Sequence, residues 1–205
     1  MKYPDDFINK VIQGDCLEVM PKIPDKSVDM ILCDLPYGTT ACKWDTIIPF
    51  EPLWEQYKMI IKDNGAIVLT ASQPFTSALV MSNIQWFRYE FIWSKSRKTG
   101  FANCKKIPLK AHENVCVFYK HLPKYNPQGL LPCNINQTRK ASRKGGFFLT
   151  EDAGRKSIQT TKNYPTSIIK IKNEHNKNIH PTQKPVALFE YLIKTYTNEG
   201  DLVLD

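Results

Sequence analysis

The stretch Ser27-Val-Asp-Met-Ile-Leu-Cys33 runs directly into Asp34-Leu-Pro-Tyr-Gly38. The first seven residues are mostly apolar and rich in strand formers, the pattern of a buried β-strand. Pro36 and Gly38 then break the chain into a loop. Upstream, Val11-Ile-Gln-Gly14 is a short apolar run, and the residues after Asp15 have helical spacing. Downstream, Phe50, Leu53, Trp54, Tyr57, Ile60 and Ile61 fall at helical offsets, predicting a helix over 50–62 ended by Asn64-Gly65 in a left-handed turn. Ala66-Ile-Val-Leu-Thr70 reads as the next strand, 74–81 as a short helix, and 87–93 and 114–119 as further strands. Strands alternating with helices predict an open α/β sheet.

The pattern fails over 120–178, which is rich in Lys, Arg, Asn, Gln, Thr, Gly and Pro. This segment reads as an inserted, largely irregular subdomain, with disorder as the competing reading. Regular pattern returns at Pro185-Val-Ala-Leu-Phe-Glu-Tyr-Leu-Ile-Lys194, an amphipathic helix with proline at its start, and Leu202-Val-Leu-Asp205 reads as a strand. The expected organisation is a catalytic α/β region over 1–120, an insertion over 121–178, and a third region from 179 to 205.

The chain has 205 residues, of which 42% are hydrophobic and 23% charged, an ordinary globular balance. No apolar run approaches the roughly 18 residues a membrane-spanning helix needs, and the N-terminus lacks a basic start followed by an apolar stretch, so a cytoplasmic protein is expected. The six cysteines, at 16, 33, 42, 104, 116 and 133, form no CxxC pair and share no metal-ligand spacing with the four histidines, so no metal site is expected. The net charge of +8 is unevenly spread: residues 88–184 hold 20 Lys and Arg against 5 Asp and Glu, while the remainder is net acidic. A basic middle between acidic flanks suggests a polyanion contacted by one region, although a solvated basic surface gives the same count.

Ligands of open α/β sheets bind beyond the carboxyl ends of the strands, which is where Asp34, Pro36 and Tyr37 fall. These residue types suit one reaction. The amine of a nucleobase is a poor nucleophile because its lone pair is delocalised into the ring. Two acceptors on its hydrogens, the Asp34 carboxylate and the backbone carbonyl of Leu35 or Pro36, would draw the nitrogen toward tetrahedral geometry. Tyr37 could stack on a base taken out of the duplex. A strand-end turn with a helix-capping aspartate is the plainer alternative for the same four residues.

Five blocks in order then carry a resemblance. They are Gly14-Asp-Cys-Leu17 with Pro24-Asp-Lys-Ser-Val-Asp29 and Asp34-Leu-Pro-Tyr-Gly38; Phe91-Ile-Trp-Ser-Lys95; His112-Glu-Asn-Val-Cys-Val-Phe-Tyr119; His180-Pro-Thr-Gln-Lys-Pro185; and Gly200-Asp-Leu-Val-Leu-Asp205. Over nearly its whole length the chain resembles the β-group DNA amino-methyltransferases, which use S-adenosylmethionine. The resemblance implies a Rossmann-like methyltransferase sheet, circularly permuted so that the catalytic strand comes first and the cofactor-loop strand last. It implies that Asp34, Pro36 and Tyr37 hold the target amine, and that Asp15, Cys16, Asp34, Thr182, Lys184 and Asp205 serve the cofactor, with Asp15 at the adenosine amine and Lys184 near the methionine carboxylate. It assigns 121–178 to target recognition, 179–205 to the start of an incomplete cofactor-binding region, and double-stranded DNA as partner. Lys95, Arg97, Lys98, Arg139, Lys140, Arg143 and Lys144 are then candidates for phosphate contact. Asp at the head of the tetrapeptide favours adenine over cytosine, a habit of the family.

The chain departs from the family at Leu35, where Pro is more usual, and at Asp205, where the family continues into a Pro-Phe-x-Gly-x-Gly loop. The second departure predicts weak cofactor binding and no methyl transfer by this chain alone, restored by a complementing polypeptide; a homodimer is also open. Three other readings remain: an N4-cytosine enzyme, an inactive DNA-binding remnant, and a ring-carbon methyltransferase using Cys133 and Glu113. The last has its motifs in reversed order.

Overall fold

Val28–Cys33 forms strand β1, parallel to a strand on each side. The computed structural model describes residues 1–40, 42–138, 156–173 and 182–205. These fall into two units, Met1–Asn126 with Ser167–Asp205, and Pro127–Thr166. In chain order the first unit holds α1 (Cys16–Val19), β1, α2 (Phe50–Ile60), β2 (Ile61–Ala71), α3 (Phe75–Ser82), β3 (Phe87–Thr99) and β4 (Lys110–Phe118). The second unit holds β5 (Leu131–Thr138) and β6 (Lys156–Lys162); β7 (Ile168–Ile169), α4 (Val186–Tyr196) and β8 (Val203–Leu204) return to the first. Among the described residues no helix is long and apolar enough to cross a membrane.

The main sheet has the order β7-β3-β4-β2-β1-β8, and β4 alone runs against the rest. Its central strands are apolar on both alternations because both faces are covered. Ile31, Ile67, Leu69, Cys116 and Phe118 pack with Leu53, Trp54, Tyr57 and Ile60 of α2 and Phe75 and Leu79 of α3. Met30, Leu32, Ala66, Val68, Val115 and Val117 pack with Leu188, Leu192 and Tyr196 of α4. Tyr196 and Tyr89 share a hydroxyl–hydroxyl hydrogen bond of 2.7 Å, so the buried phenols on that face are satisfied. The α/β fold expected from strand–helix alternation is the fold found.

Two local expectations are corrected. Helix α2 ends at Ile60, and Asn64-Gly65 lie within β2 rather than in a left-handed turn. Register shifts from Val28↔Ile61 to Met30↔Ala66, so residues 62–65 bulge out of the ladder. A Cβ on Gly65 would come within 2.8 Å of the Asp29 carbonyl oxygen, so glycine is needed there for close approach of the neighbouring strand. In the inserted segment, β5 and β6 pair as an antiparallel ribbon, where the sequence reads as largely irregular. Polar alternation such as Asn134-Ile-Asn136 hides short strands that have no deep core to face.

Candidate active site

Because Cys33 of β1 lies opposite Leu69 of β2, the next residues, Asp34 and Thr70, meet at the carboxyl edge of the sheet. The Thr70 hydroxyl donates to Asp34 Oδ1. The Tyr37 hydroxyl lies 2.8 Å from the same oxygen and 3.0 Å from Thr70 Oγ1. Burial, then the negative charge of Asp34, pushes the Tyr37 phenol well above its ordinary range, so it stays protonated and remains a donor. One face of its ring is stacked on Phe75, with centroids 5.1 Å apart. Lys184, just before α4, places Nζ 2.8 Å from each carboxylate oxygen of Asp34 and 5.2 Å from the centroid of the Tyr37 ring.

A second carboxylate stands behind the first. Glu113, on the β4 strand, sets Oε1 2.6 Å from Lys95 Nζ and Oε2 3.5 Å from Lys184 Nζ. Lys95, Glu113 and Lys184 side chains are only 7%, 13% and 9% exposed, so their charges interact with little screening. Lys110 hydrogen-bonds Ser72 close by, and burial lowers its ammonium pKa. Thr76 donates to Asn114, which in turn donates to Glu90.

The loop after Tyr37 is held by one side chain. Asp45 accepts from the backbone N–H groups of Gly38, Thr39 and Thr40 at 2.8, 2.9 and 2.7 Å. Desolvation alone would raise its carboxyl pKa; the hydrogen bonds from this loop outweigh that and hold it at about 2. Gly38 takes a left-handed φ of 66°, and a Cβ there would meet Ile47 at 2.9 Å.

Beside the Asp34 turn lies a cavity of about 730 Å³. Gly14, Cys16, Cys33, Leu35, Pro36 and Asp205 are among its lining residues, together with the apolar side chains of 7–12. That is within the size of pockets that hold nucleoside-sized ligands, roughly 300–1,000 Å³. Burial, then the charge of Asp34, raises the Asp205 carboxyl pKa, and burial raises the Cys33 thiol to about 12. The donor set fits an amphipathic nucleoside: apolar walls for a ring and few, well-placed polar groups.

Of the residues singled out from sequence, Asp34, Tyr37 and Lys184 come together, and Cys16, Pro36 and Asp205 line the cavity. Asp15 caps α1, its carboxylate accepting from Leu17 N at 2.9 Å. Lys95 is turned inward to Glu113 rather than toward solvent, while Arg97 and Lys98 are exposed. Thr182 is not among the cavity-lining residues. Arg139, Lys140, Arg143 and Lys144 lie outside the described residues. Thr70, Glu113 as a charged partner, and Asp45 were missed, because each acts through strand register or loop closure that no local spacing reveals. No metal-holding group of His, Cys, Asp and Glu occurs among the described residues.

An open sheet with a polar, ring-bearing turn at the carboxyl end of a central strand, beside a nucleoside-sized cavity, is an α/β fold of the methyltransferase kind. The DNA methylase family model matches residues 28–205, and the chain belongs to that family of N6/N4 amino-methyltransferases. It is 25% identical to the type II methyltransferase M.HinfI of Haemophilus influenzae, over 98% of this chain and 59% of that protein. It is 22% identical to the type II methyltransferase M.HpaI of Haemophilus parainfluenzae, over 96% of this chain and 62% of that protein. The chain thus spans about 60% of the length of these curated relatives. Among solved structures, the cytosine-N4-specific PvuII DNA methyltransferase superposes with a TM-score of 0.60 at 16% identity, covering 93% of this chain and 71% of that one. The M1.HpyAVI–SAM complex superposes with a TM-score of 0.57 at 20% identity, covering 95% and 80%.

Proposed function

We propose that this chain carries the catalytic part of an enzyme that methylates an exocyclic amine of DNA, with adenine as the target. The observation that carries the reading is Asp34, buttressed by Thr70 and Tyr37 beside the cavity. The cofactor is S-adenosylmethionine, which when bound supplies an electrophilic methyl group on a sulfonium. Cys16 and Asp205 would hold it, with Leu35 and Pro36 as the wall toward the target. Asp34 accepts a hydrogen bond from the amine, the carbonyl of Leu35 or Pro36 accepts the other, and the nitrogen lone pair is freed to attack. Methyl transfer would be a direct displacement at the methyl carbon, and Asp34 would take up the displaced amine proton and pass it to water. Double-stranded DNA would be engaged by the basic middle of the chain. The permuted strand order is part of this reading: it is supported by β8, near the chain end, pairing with β1.

A second reading, N4-cytosine methylation, uses the same geometry on another amine, and the family spans both. The two separate in one assay. Unmethylated plasmid DNA is incubated with the enzyme that carries this chain and methyl-labelled S-adenosylmethionine, digested to nucleosides and resolved by mass spectrometry. Label in N6-methyladenine supports the proposal, and label in N4-methylcytosine replaces the target. Asp34→Ala should abolish transfer while cofactor affinity stays within about tenfold, because the lost interaction acts mainly in the transition state. Near-normal turnover of that variant would refute the role of Asp34.

A further inference from the structure

Lys184 stands where a target base would have to go. Asp34 Oδ1 is already taken by Thr70 and Tyr37, so Oδ2 is the oxygen left for an incoming amine. Its hydrogen-bond partner among the described residues is Lys184 Nζ, at 2.8 Å. The Tyr37 ring has one face on Phe75, and the same ammonium stands over the ring as a cation–π partner. One side chain therefore fills both the acceptor and the stacking surface that the proposed reaction needs. Among the described residues, Glu113 is the other carboxylate paired with it. Glu113 Oε2 is buried, carries no hydrogen bond among the described residues, and lies 3.5 Å from Lys184 Nζ. Glu113 is itself fixed through Oε1 by Lys95.

We propose that Lys184 is a gate with two positions: on Asp34 and Tyr37 when the base site is empty, and on Glu113 when a base enters. Rotation about the outer bonds of the lysine side chain completes the unmade hydrogen bond of Glu113 as it frees Oδ2 and the ring. The Lys184 side chain is 9% exposed, so an ammonium leaving Asp34 without a second acceptor would be left poorly solvated and unpaired. Glu113 supplies that acceptor, so it is a positioning residue that acts through Lys184. The proposal rests on the reading of Asp34 as the amine acceptor, and two separate measurements test it.

The first needs no methyl transfer. In protein labelled with 15N-lysine, the Nζ resonance of Lys184 is assigned by its loss in Lys184→Met. In Asp34→Asn it should shift yet stay protected from exchange, because the ammonium moves to Glu113. In Asp34→Asn with Glu113→Gln the protection should vanish. Loss of protection in Asp34→Asn alone would overturn the second position. The other measurement is a double-mutant cycle on methyl transfer. Glu113→Gln should lower kcat about tenfold in the native background, with cofactor affinity unchanged, and by less than about twofold in Lys184→Met. An equal loss in both backgrounds would show that Glu113 acts independently of Lys184 and would overturn the gate. Absence of any methylated amine with the enzyme that carries this chain, alongside the predicted resonance behaviour, would refute the enzymatic reading and leave the two-position lysine standing.

Discussion

At Asp34 the two carboxylate oxygens have unequal surroundings. Oδ1 is held by two hydroxyls as well as the ammonium, and Oδ2 by the ammonium. The hydroxyls fix the plane of the carboxylate and so aim Oδ2. Thr70→Val keeps the shape of the buried side chain and deletes one of these donors. Methyl transfer should fall by about tenfold and the melting temperature should drop with it, since one hydrogen bond to a charged group is worth about 1.5–3 kcal/mol to the fold. Steady-state kinetics with DNA as substrate, set beside a melting curve, checks this; unchanged kcat would show that Tyr37 alone suffices. Asp34 and Tyr37 were legible as a site from a strand followed by Asp-Leu-Pro-Tyr. Thr70 was not, because its role comes from lying across the ladder from the residue after Cys33, and sequence spacing carries no register.

At the scale of elements, the turn that presents Tyr37 depends on Asp45. Its carboxyl pKa is held at about 2, below the ordinary 3.8. A carboxylate depressed in this way contributes stability above its unfolded pKa and loses it as pH falls toward 2. The loop of 38–45 should therefore loosen between about pH 4 and pH 2, and Asp45→Asn should abolish that acid step. Limited proteolysis or amide exchange across 38–45 measures it. A step of equal size in Asp45→Asn would assign the effect to other carboxylates. Gly65 makes a different demand. Alanine there would press on the Asp29 carbonyl oxygen, a backbone atom of the adjacent strand, and should destabilise the fold by about 1–3 kcal/mol in denaturant titration. A neutral Gly65→Ala would mean the bulge relaxes freely. Asn64-Gly65 reads as a helix stop because the pair tolerates a left-handed turn; tertiary pairing with β1 outweighs that local preference. The strand and helix identities elsewhere were readable because their apolar periods match the layers they cover.

For the molecule as a whole, charge is the feature that composition exposes best. The surplus of cations lies between residues 88 and 184. Part of it is internal: the Lys95 and Lys184 side chains are themselves mostly buried and paired with Glu113 and Asp34, and neither is available to a phosphate in this arrangement. Counting charges along the chain cannot separate these from solvent-facing cations. The run Arg139, Lys140, Arg143 and Lys144 has the composition of a phosphate-contacting segment. Replacing all four with Gln should weaken DNA binding and lower the slope of log K against log salt by up to about four units. A titration from low to moderate salt reads this out, and an unchanged slope would remove the four residues from the DNA-facing surface.

The pairing of β1 with β8 has a kinetic consequence. The two strands are about 170 residues apart in the chain, and only Met30↔Val203 and Ile31↔Leu204 align, with Leu202 N bonded to Asp29 at 3.0 Å. The β3–β4 hairpin, by contrast, closes a loop of 100–109. Loop-closure entropy is recovered early in the hairpin and last at β8. Residues 201–205 should accordingly be among the last to dock during refolding and the first to detach in native-state fluctuations. They form one wall of the cavity, so that wall should breathe on a faster timescale than the remainder of the sheet. Hydrogen–deuterium exchange resolved by residue would show the Val203 and Leu204 amides exchanging well before those of Val68 and Leu69.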